Sequence, residues 1–200
     1  MYTKEFDRKG RLICFEGIDR SGKSSQIEIL SLYLIMKNIP HVVIKFPTNE
    51  TYPGREINKF LKGEIFIEPD KVDLYFTSDR LETYGEIKRL LTEGTWVICD
   101  RYVYSGIAYG NTALYFNTLE FGKVVRPDLV IFMDVQYEDV KNRKDFGKEI
   151  YEEKNRLERA YKNFSKLFED KDFVKIIDGR KGIREISEEI EKEIEGIFTK

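Results

Sequence analysis

The chain has 200 residues, of which 41% are hydrophobic and 35% are charged, and its net charge is −2 at pH 7. This length allows one α/β domain with a sizeable core, while the near-neutral charge excludes a general attraction to nucleic acid or to an anionic membrane. No stretch is long and apolar enough to span a membrane, and the polar N-terminus is unlike a secretory signal. Because Cys14 and Cys99 lie in apolar runs, we expect buried, reduced thiols and a soluble, cytoplasmic protein without nucleic-acid or membrane partners.

Short apolar runs alternate along the chain with longer segments of helical period, a pattern typical of a parallel sheet covered by helices. The five predicted strands span residues 12–16, 41–46, 96–100, 129–134 and 173–177. The seven predicted helices span residues 24–37, 55–62, 70–92, 118–125, 138–143, 152–170 and 183–198. Without internal repeats or a low-complexity linker, the sequence predicts a single α/β domain over residues 1–200.

The segment that follows the first predicted strand has the spacing of a nucleotide-phosphate loop. Residues 17–24 read Gly-Ile-Asp-Arg-Ser-Gly-Lys-Ser, and Gly17 and Gly22 supply the backbone angles that let N–H groups point at phosphate oxygens. Lys23 is placed to reach the β- and γ-phosphates, and Ser24 offers a hydroxyl to magnesium at the positive end of the next helix. The loop therefore predicts binding of ATP or GTP.

Ligands of open parallel sheets collect beyond the carboxyl ends of the strands, where two aspartates stand. Asp100 ends the third predicted strand, where a phosphate-loop protein places a carboxylate near magnesium, usually through water. Asp134 ends the fourth strand and is the competing candidate. Either residue could instead begin a loop or cap a helix.

Arginines and one aromatic residue indicate what kind of nucleotide enzyme this is. Phosphoryl transfer between two nucleotides needs several guanidinium groups, and Arg20 in the loop and Arg101 after the third strand can converge there. Phe76 and Arg80 share one helix face, so that a ring could stack on a base while the guanidinium donates to its carbonyl oxygen. On helical geometry alone, however, an aromatic residue at this spacing is more often part of the core. The residues alone thus predict a magnesium-dependent phosphate-loop kinase or NTPase.

Six segments, in matching order, resemble the thymidylate kinase family. They are residues 15–26, 45–47, 73–82, 100–109, 126–132 and 146–152. The resemblance is greatest to the eukaryotic and viral type, in which an arginine lies within the phosphate loop, as Arg20 does here. It implies a phosphate-loop nucleoside-monophosphate-kinase fold with a five-stranded parallel sheet, a Mg²⁺ cofactor and a homodimer. The implied reaction is transfer of the ATP γ-phosphoryl group to dTMP, giving ADP and dTDP for dTTP synthesis.

The resemblance also implies residue roles. Arg20, Lys23 and Arg101 would stabilise the phosphoryl group in transfer, while Ser24 holds magnesium and Asp100 orders its water shell. The ATP site would comprise Gly17, Asp19, Arg20, Ser21, Gly22, Lys23, Ser24, Ser25 and Arg143. The dTMP site would comprise Asp19, Phe46, Phe76, Arg80, Arg101, Ser105, Gly106, Tyr109 and Tyr151.

Within the implied dTMP site, Phe76 would stack on thymine, Arg80 would bond its O4 and Tyr109 would pack against the deoxyribose. Ser105 and Gly106 would line the base pocket. A mobile lid at about residues 141–155 would bring Tyr151 over the nucleoside.

Four positions depart from the family pattern. Thr48 and Asn49 stand where relatives have a glutamate and an arginine that grips the acceptor phosphate, and Lys45 or Arg55 is a candidate replacement for that arginine. Asp79 replaces an asparagine that is common before the base-reading arginine, and Leu157 replaces a glutamine in the lid region. These changes concern acceptor affinity and base selectivity more than phosphoryl transfer.

Two alternatives remain open from the sequence. A deoxynucleoside kinase would need a carboxylate base beside an uncharged 5′-hydroxyl, and Glu16 lies near the phosphate loop. A nucleotide-binding regulator without kinase turnover is the other alternative, although the sequence has no Asn-Lys-x-Asp guanine-reading motif.

Overall fold

The computed structural model describes residues 6–110, 123–143, 146 and 151–198. Five strands in these ranges form one wholly parallel sheet in the order β2-β3-β1-β4-β5. The strands are β1 Leu12–Glu16, β2 His41–Lys45, β3 Trp96–Asp100, β4 Leu129–Asp134 and β5 Val174–Asp178. Seven helices are described: α1 Lys23–Met36, α2 Tyr52–Leu61, α3 Pro69–Glu93, α4 Val103–Tyr109, α5 Tyr137–Val140, α6 Lys154–Phe168 and α7 Ile183–Phe198.

This architecture confirms the predicted five-stranded parallel sheet flanked by helices. Three strands have their predicted bounds, β2 ends one residue earlier than predicted, and β5 is shifted by one residue at both ends. Six helices match predicted ones to within three residues at each end. The prediction of a helix over residues 118–125 falls mostly outside the described residues, and its described end, residues 123–125, is not helical.

One helix, α4, was not predicted. It has only seven residues, no side chain caps its start, and Gly106 lies in its interior, where glycine disfavours helix. Helix α2 begins three residues earlier than predicted because the Thr51 hydroxyl accepts a hydrogen bond from the Gly54 N–H at 3.0 Å, and Pro53 fits the first turn.

Alternation along the central strand divides the core into two layers. Leu12 and Cys14 pack with residues of α3, α4 and α6 on one face, while Ile13 and Phe15 pack with α1 and α7 on the other. All five residues of β1 are buried, as expected for a parallel strand covered on both faces. Both cysteines are free and buried, as predicted.

The topology places β1 between β3 and β4, so that the carboxyl ends of these three strands meet at one edge of the sheet. The phosphate loop leaves β1 there, Asp100 ends β3 and Asp134 ends β4. Among the described helices, none is long and apolar enough to cross a membrane.

Candidate active site

A cleft of about 520 Å³ opens at this edge of the sheet. All but one of the residues assigned to a nucleotide from the sequence line it: Asp19, Arg20, Ser21, Gly22, Lys23, Ser24, Ser25, Phe46, Phe76, Arg80, Asp100, Arg101, Ser105, Gly106, Tyr109, Arg143 and Tyr151. Gly17 does not line the cleft, and its carbonyl faces Lys23 and Arg101 instead. The cleft therefore brings together residues that are far apart in the chain.

The phosphate loop has an unusual backbone. Gly17 and Gly22 have φ angles of 141° and 98°, and Arg20 has a φ of 62° although it carries a side chain. A Cβ at position 17 would lie 2.9 Å from the Met133 carbonyl oxygen, so this position requires glycine. Arg101 also has a positive φ, of 71°. Non-glycine residues in this region cost of order 1–3 kcal/mol and cluster at functional sites.

Lys23 is held inside the curl of the loop. Its Nζ donates to the carbonyl oxygens of Gly17 at 3.1 Å and Ile18 at 2.8 Å, and to the Ser21 hydroxyl at 3.1 Å. Burial, together with the repulsion of Arg101, lowers the pKa of Lys23 from 10.5 to about 8. A phosphate anion in the cleft would restore the preference for the charged amine, so this geometry favours anion binding.

Ser24 and Asp100 are the two residues of the cleft whose chemistry suits Mg²⁺ at the phosphate loop, since a hydroxyl and a carboxylate are oxygen ligands of the type that this ion takes. The Ser24 hydroxyl donates to Asp100 Oδ2 at 3.0 Å, and both residues line the cleft. Asp134, the competing candidate, does not line it; its carboxylate interacts with Tyr161. In the described part of the chain no group of three or more His, Cys, Asp or Glu side chains could hold a metal by itself. The arrangement fits an ion that is held mainly through nucleotide phosphates.

Arg101 and Asp19 form a partly buried ion pair at the centre of the cleft. Arg101 donates from Nη2 to Asp19 Oδ1 at 2.5 Å and from Nη1 to the Gly17 carbonyl at 2.9 Å and the Ser105 hydroxyl at 3.2 Å. Burial alone would raise the pKa of Asp19, but Arg101 and Lys23 hold it below its ordinary value. Tyr109 completes the group by donating to Asp19 Oδ2 at 2.9 Å.

Glu152 is a cleft residue that sequence reasoning missed. Its carboxylate, with a side chain only 1% exposed, accepts from Arg20 Nε at 2.6 Å. On the other side, Arg143 Nη1 donates to the Arg20 carbonyl at 2.6 Å, and its Nη2 donates to the Gly179 carbonyl at 3.2 Å. The phosphate-loop arginine is therefore contacted from both described ends of the predicted lid. The only signal for Glu152 was its place next to Tyr151.

Aromatic rings line the other end of the cleft. Tyr151 lies 6.2 Å from Phe76 and 6.1 Å from Tyr109, between ring centroids, and its ring is within 13° of parallel to that of Tyr109. The Arg156 guanidinium lies 3.9 Å from the centroid of Tyr151. Phe46 is buried against Tyr102 with centroids 5.9 Å apart. These faces can stack on a planar base.

Helix α4 brings Gly106 against Arg80. A Cβ at position 106 would lie 2.5 Å from Arg80 Nη2 and 3.2 Å from Cζ, so the guanidinium occupies the space that a side chain would need. Arg80 is 3% exposed, and its guanidinium is thereby fixed at the wall of the cleft beside Phe76. A fixed, buried guanidinium is a donor suited to a base carbonyl.

The departures Asp79 and Leu157 have structural explanations. Asp79 does not line the cleft; its carboxylate accepts from the Thr48 N–H at 2.9 Å, from the Thr48 hydroxyl at 2.8 Å and from the Thr51 hydroxyl. The departures at 48 and 79 thus contact each other and fix the loop between β2 and α2. Leu157 is fully buried in a cluster with Ile18 and other apolar residues, so it packs rather than reading a base.

Of the two candidate replacements for the missing arginine, only Lys45 lines the cleft. Arg55 Nη1 donates instead to the carbonyl oxygens of Asn49 and Glu50, at 3.2 and 2.9 Å, on the exposed side of the loop. The Asn49 side chain is also directed elsewhere, accepting from Asn58 Nδ2 at 2.9 Å.

Glu16 is not available as a catalytic base. Its carboxylate accepts from the N–H groups of Tyr102 at 2.8 Å and Ser105 at 3.2 Å and from the Ser105 hydroxyl at 2.6 Å, and it is outside the cleft. Burial raises its pKa from 4.5 to about 7, although Ser105 and Arg101 oppose the shift. Glu16 thus fixes the start of α4 rather than facing an acceptor.

A family model described as thymidylate kinase matches residues 15–190. Thymidylate kinase of Plasmodium falciparum (isolate 3D7) is 39% identical over 192 residues, covering 94% of this chain and 90% of the relative. Thymidylate kinase of Homo sapiens is 33% identical over 189 residues, covering 92% and 89%. Among solved structures, thymidylate kinase from Candida albicans superimposes with a TM-score of 0.81 at 29% identity, covering 96% of this chain and 93% of that one.

Proposed function

The chain belongs to the thymidylate kinase family, which makes it an ATP:dTMP phosphotransferase of dTTP synthesis, and we propose that the cleft described above carries out this reaction. The observation that supports the proposal most directly is the division of one cleft into two ends. Lys23 and Arg20 lie on the phosphate-loop side, the rings of Phe76 and Tyr151 lie on the other side, and Arg101 and Tyr109 meet between them at Asp19. ATP phosphates and the base of dTMP fit these ends respectively.

The donor end holds ATP through the phosphate loop. Backbone N–H groups of residues 17–24 and the positive end of α1 attract the phosphates. Lys23 then exchanges its contacts with loop oxygens for the β- and γ-phosphates, and Arg143 closes the loop from the side of the adenine. Ser24 and Asp100 are the residues that would hold Mg²⁺, which, when bound, neutralises phosphate charge during transfer.

Transfer itself needs positioning and charge rather than a base. The acceptor is an ionised phosphate monoester, so its oxygen attacks the γ-phosphorus without first losing a proton to a side chain, and the bond from that phosphorus to the β,γ-bridging oxygen breaks to release ADP. Arg20, Lys23 and Arg101 surround the place where negative charge accumulates and stabilise the transition state. Arg20 and Arg101 must partly leave Glu152 and Asp19 to do so, because both guanidinium groups are paired in this state.

The acceptor end selects a pyrimidine deoxynucleotide. Phe76 stacks on the base and Arg80 donates to O4 of thymine. Tyr109, fixed by its hydrogen bond to Asp19, packs against the sugar where a 2′-hydroxyl would be crowded, and Asp19 lies near the 3′-hydroxyl. Ser105, Gly106 and Phe46 complete the wall.

We further propose that residues 141–155 act as a lid on this single domain. Arg143 and Glu152, the described contacts of this segment with the phosphate loop, both meet Arg20. Closure would bring Tyr151 over the nucleoside and exclude water.

A homodimer is proposed from the family resemblance. Exposed apolar side chains support it: Phe66 is 80% exposed before α3, and Leu74 on α3 is 44% exposed. Sedimentation equilibrium should give twice the mass of 23.7 kDa; a monomer at micromolar concentration would contradict the dimer.

The activity is tested by offering ATP and magnesium with dTMP, dUMP, thymidine or UMP and measuring each phosphorylated product. We expect dTMP to give the highest kcat/KM and chelation of magnesium to abolish turnover. Preferential phosphorylation of thymidine would favour a deoxynucleoside kinase, and nucleotide binding without any product would favour a regulator.

A further inference from the structure

Six cationic side chains line the cleft: Arg20, Lys23, Lys45, Arg80, Arg101 and Arg143. Five of them already have partners. Arg20 pairs with Glu152, Arg101 pairs with Asp19, Lys23 and Arg143 donate to loop carbonyl oxygens, and Arg80 is buried and partnered. Lys45 is the exception, since no hydrogen bond or ion pair joins its Nζ to any residue that the structure describes.

Lys45 is also well placed along the cleft. It is the last residue of β2 and lies opposite Asp100 in the register of β3. It borders a depression shared with Ser24 and Asp100, and it lines the main cleft together with Phe76 and Arg80. Its ammonium group can therefore reach the region between the metal-facing pair and the acceptor base.

An acceptor phosphate in that region needs a cationic partner besides the groups that already bind the phosphates of ATP. The loop N–H groups and Lys23 serve the donor phosphates, whereas Arg101 must also part from Asp19 to serve either nucleotide. An exposed ammonium with no partner binds an added phosphate without first breaking an ion pair, and a charge-assisted hydrogen bond of this kind is among the stronger ones.

We propose that Lys45 binds the phosphate of the acceptor nucleoside monophosphate. This inference rests on the proposed function, because it needs a dTMP-like acceptor in the aromatic end of the cleft. Lys45 is a binding residue, and it supplies a positive charge to the cleft from the end of β2. Neither Asn49 nor Arg55 lines the cleft, so neither can supply that charge.

The test compares Lys45→Met with the unaltered protein by titration calorimetry, using dTMP and thymidine as ligands. Thymidine has the same base and sugar without the phosphate, so only the affinity for dTMP should fall. We expect the Kd for dTMP to rise at least tenfold, equivalent to about 1.4 kcal/mol, the Kd for thymidine to change less than twofold, and Lys45→Arg to restore most of the dTMP affinity.

Two controls accompany this measurement. Lys166→Met removes an exposed lysine outside the cleft and should leave both Kd values unchanged. The KM for ATP in Lys45→Met should stay within twofold of normal, and the melting temperature should not change, because Lys45 is exposed.

Several results would overturn the inference. An unchanged Kd for dTMP, a KM for ATP that rises instead, or equal weakening of dTMP and thymidine would each remove Lys45 from the acceptor-phosphate site. Failure of the proposed function has a different signature, since the unaltered protein would then neither bind nor phosphorylate dTMP.

Discussion

Replacing Gly106 by alanine perturbs base recognition through a single methyl group. The added Cβ would lie 2.5 Å from Arg80 Nη2, and ordinary contact begins at 3.4 Å, so the guanidinium must shift by about 0.9 Å. Arg80 is buried and cannot simply swing into solvent. A misplacement of about 1 Å can cost about 10²-fold in rate, which corresponds to about 2.7 kcal/mol of transition-state stabilisation.

The assay is steady-state kinetics with dTMP and with dCMP. Thymine presents a carbonyl oxygen where cytosine presents an amino group, so loss of the Arg80 contact should lower kcat/KM for dTMP about 10²-fold and reduce its advantage over dCMP. The KM for ATP should not change, because Gly106 is on α4 and the donor loop follows β1.

Gly85→Ala is the matched control. A Cβ at position 85 of α3 meets nothing within 4 Å, so this variant should keep normal kinetics and gain about 0.5–1 kcal/mol of stability from the better helix former. A folded Gly106→Ala protein with kcat/KM for dTMP within threefold of normal would refute the role of Arg80 in reading the base.

Three further predictions concern charged residues. Arg20→Ala should lower kcat by roughly 10²-fold while the protein remains folded; near-normal turnover in the folded variant would remove Arg20 from the mechanism. Because burial raises the pKa of Glu16 from 4.5 to about 7, the folded state binds the extra proton between these values, and the free energy of unfolding should fall as pH rises from 5 to 8. Denaturant titrations should show this loss, up to about 3 kcal/mol, relative to Glu16→Gln, and parallel pH profiles would contradict it. Asp79→Ala leaves the Thr48 N–H and hydroxyl without their acceptor, so the free energy of unfolding measured in urea should fall by about 2–3 kcal/mol. A loss below about 0.5 kcal/mol, on the order of a surface substitution, would show that this contact does not fix the loop.

The sheet could be predicted because its strands are short, apolar and separated by strong helical patterns. The phosphate loop could also be predicted from the sequence, because backbone geometry fixes the spacing of its glycines and lysine. Helix α4 was not predicted, because a seven-residue helix without a side-chain cap has almost no local signal. It nevertheless carries Ser105, Gly106 and Tyr109, and its start is fixed by the distant Glu16.

The side-chain pairings in the cleft and in the neighbouring loop could not be predicted at all. Arg20 and Glu152 are 132 residues apart, and Thr48 and Asp79 are 31 apart. Such contacts depend on how helices and loops meet in space rather than on any local pattern. The structure thus gives Asp79 a loop-fixing role that reading it against the family pattern did not suggest.

The central claim is that the cleft transfers the terminal phosphoryl group from one nucleotide to another. An isotopic label in that phosphoryl group measures the transfer directly. The protein would be mixed with ATP labelled in the γ-phosphate, magnesium and dTMP, and the products separated over a single turnover. We expect the label that leaves ATP to appear in dTDP, in an amount equal to the ADP formed. Label released as inorganic phosphate would contradict it, as would transfer of the label to thymidine by a protein that forms no labelled dTDP from dTMP.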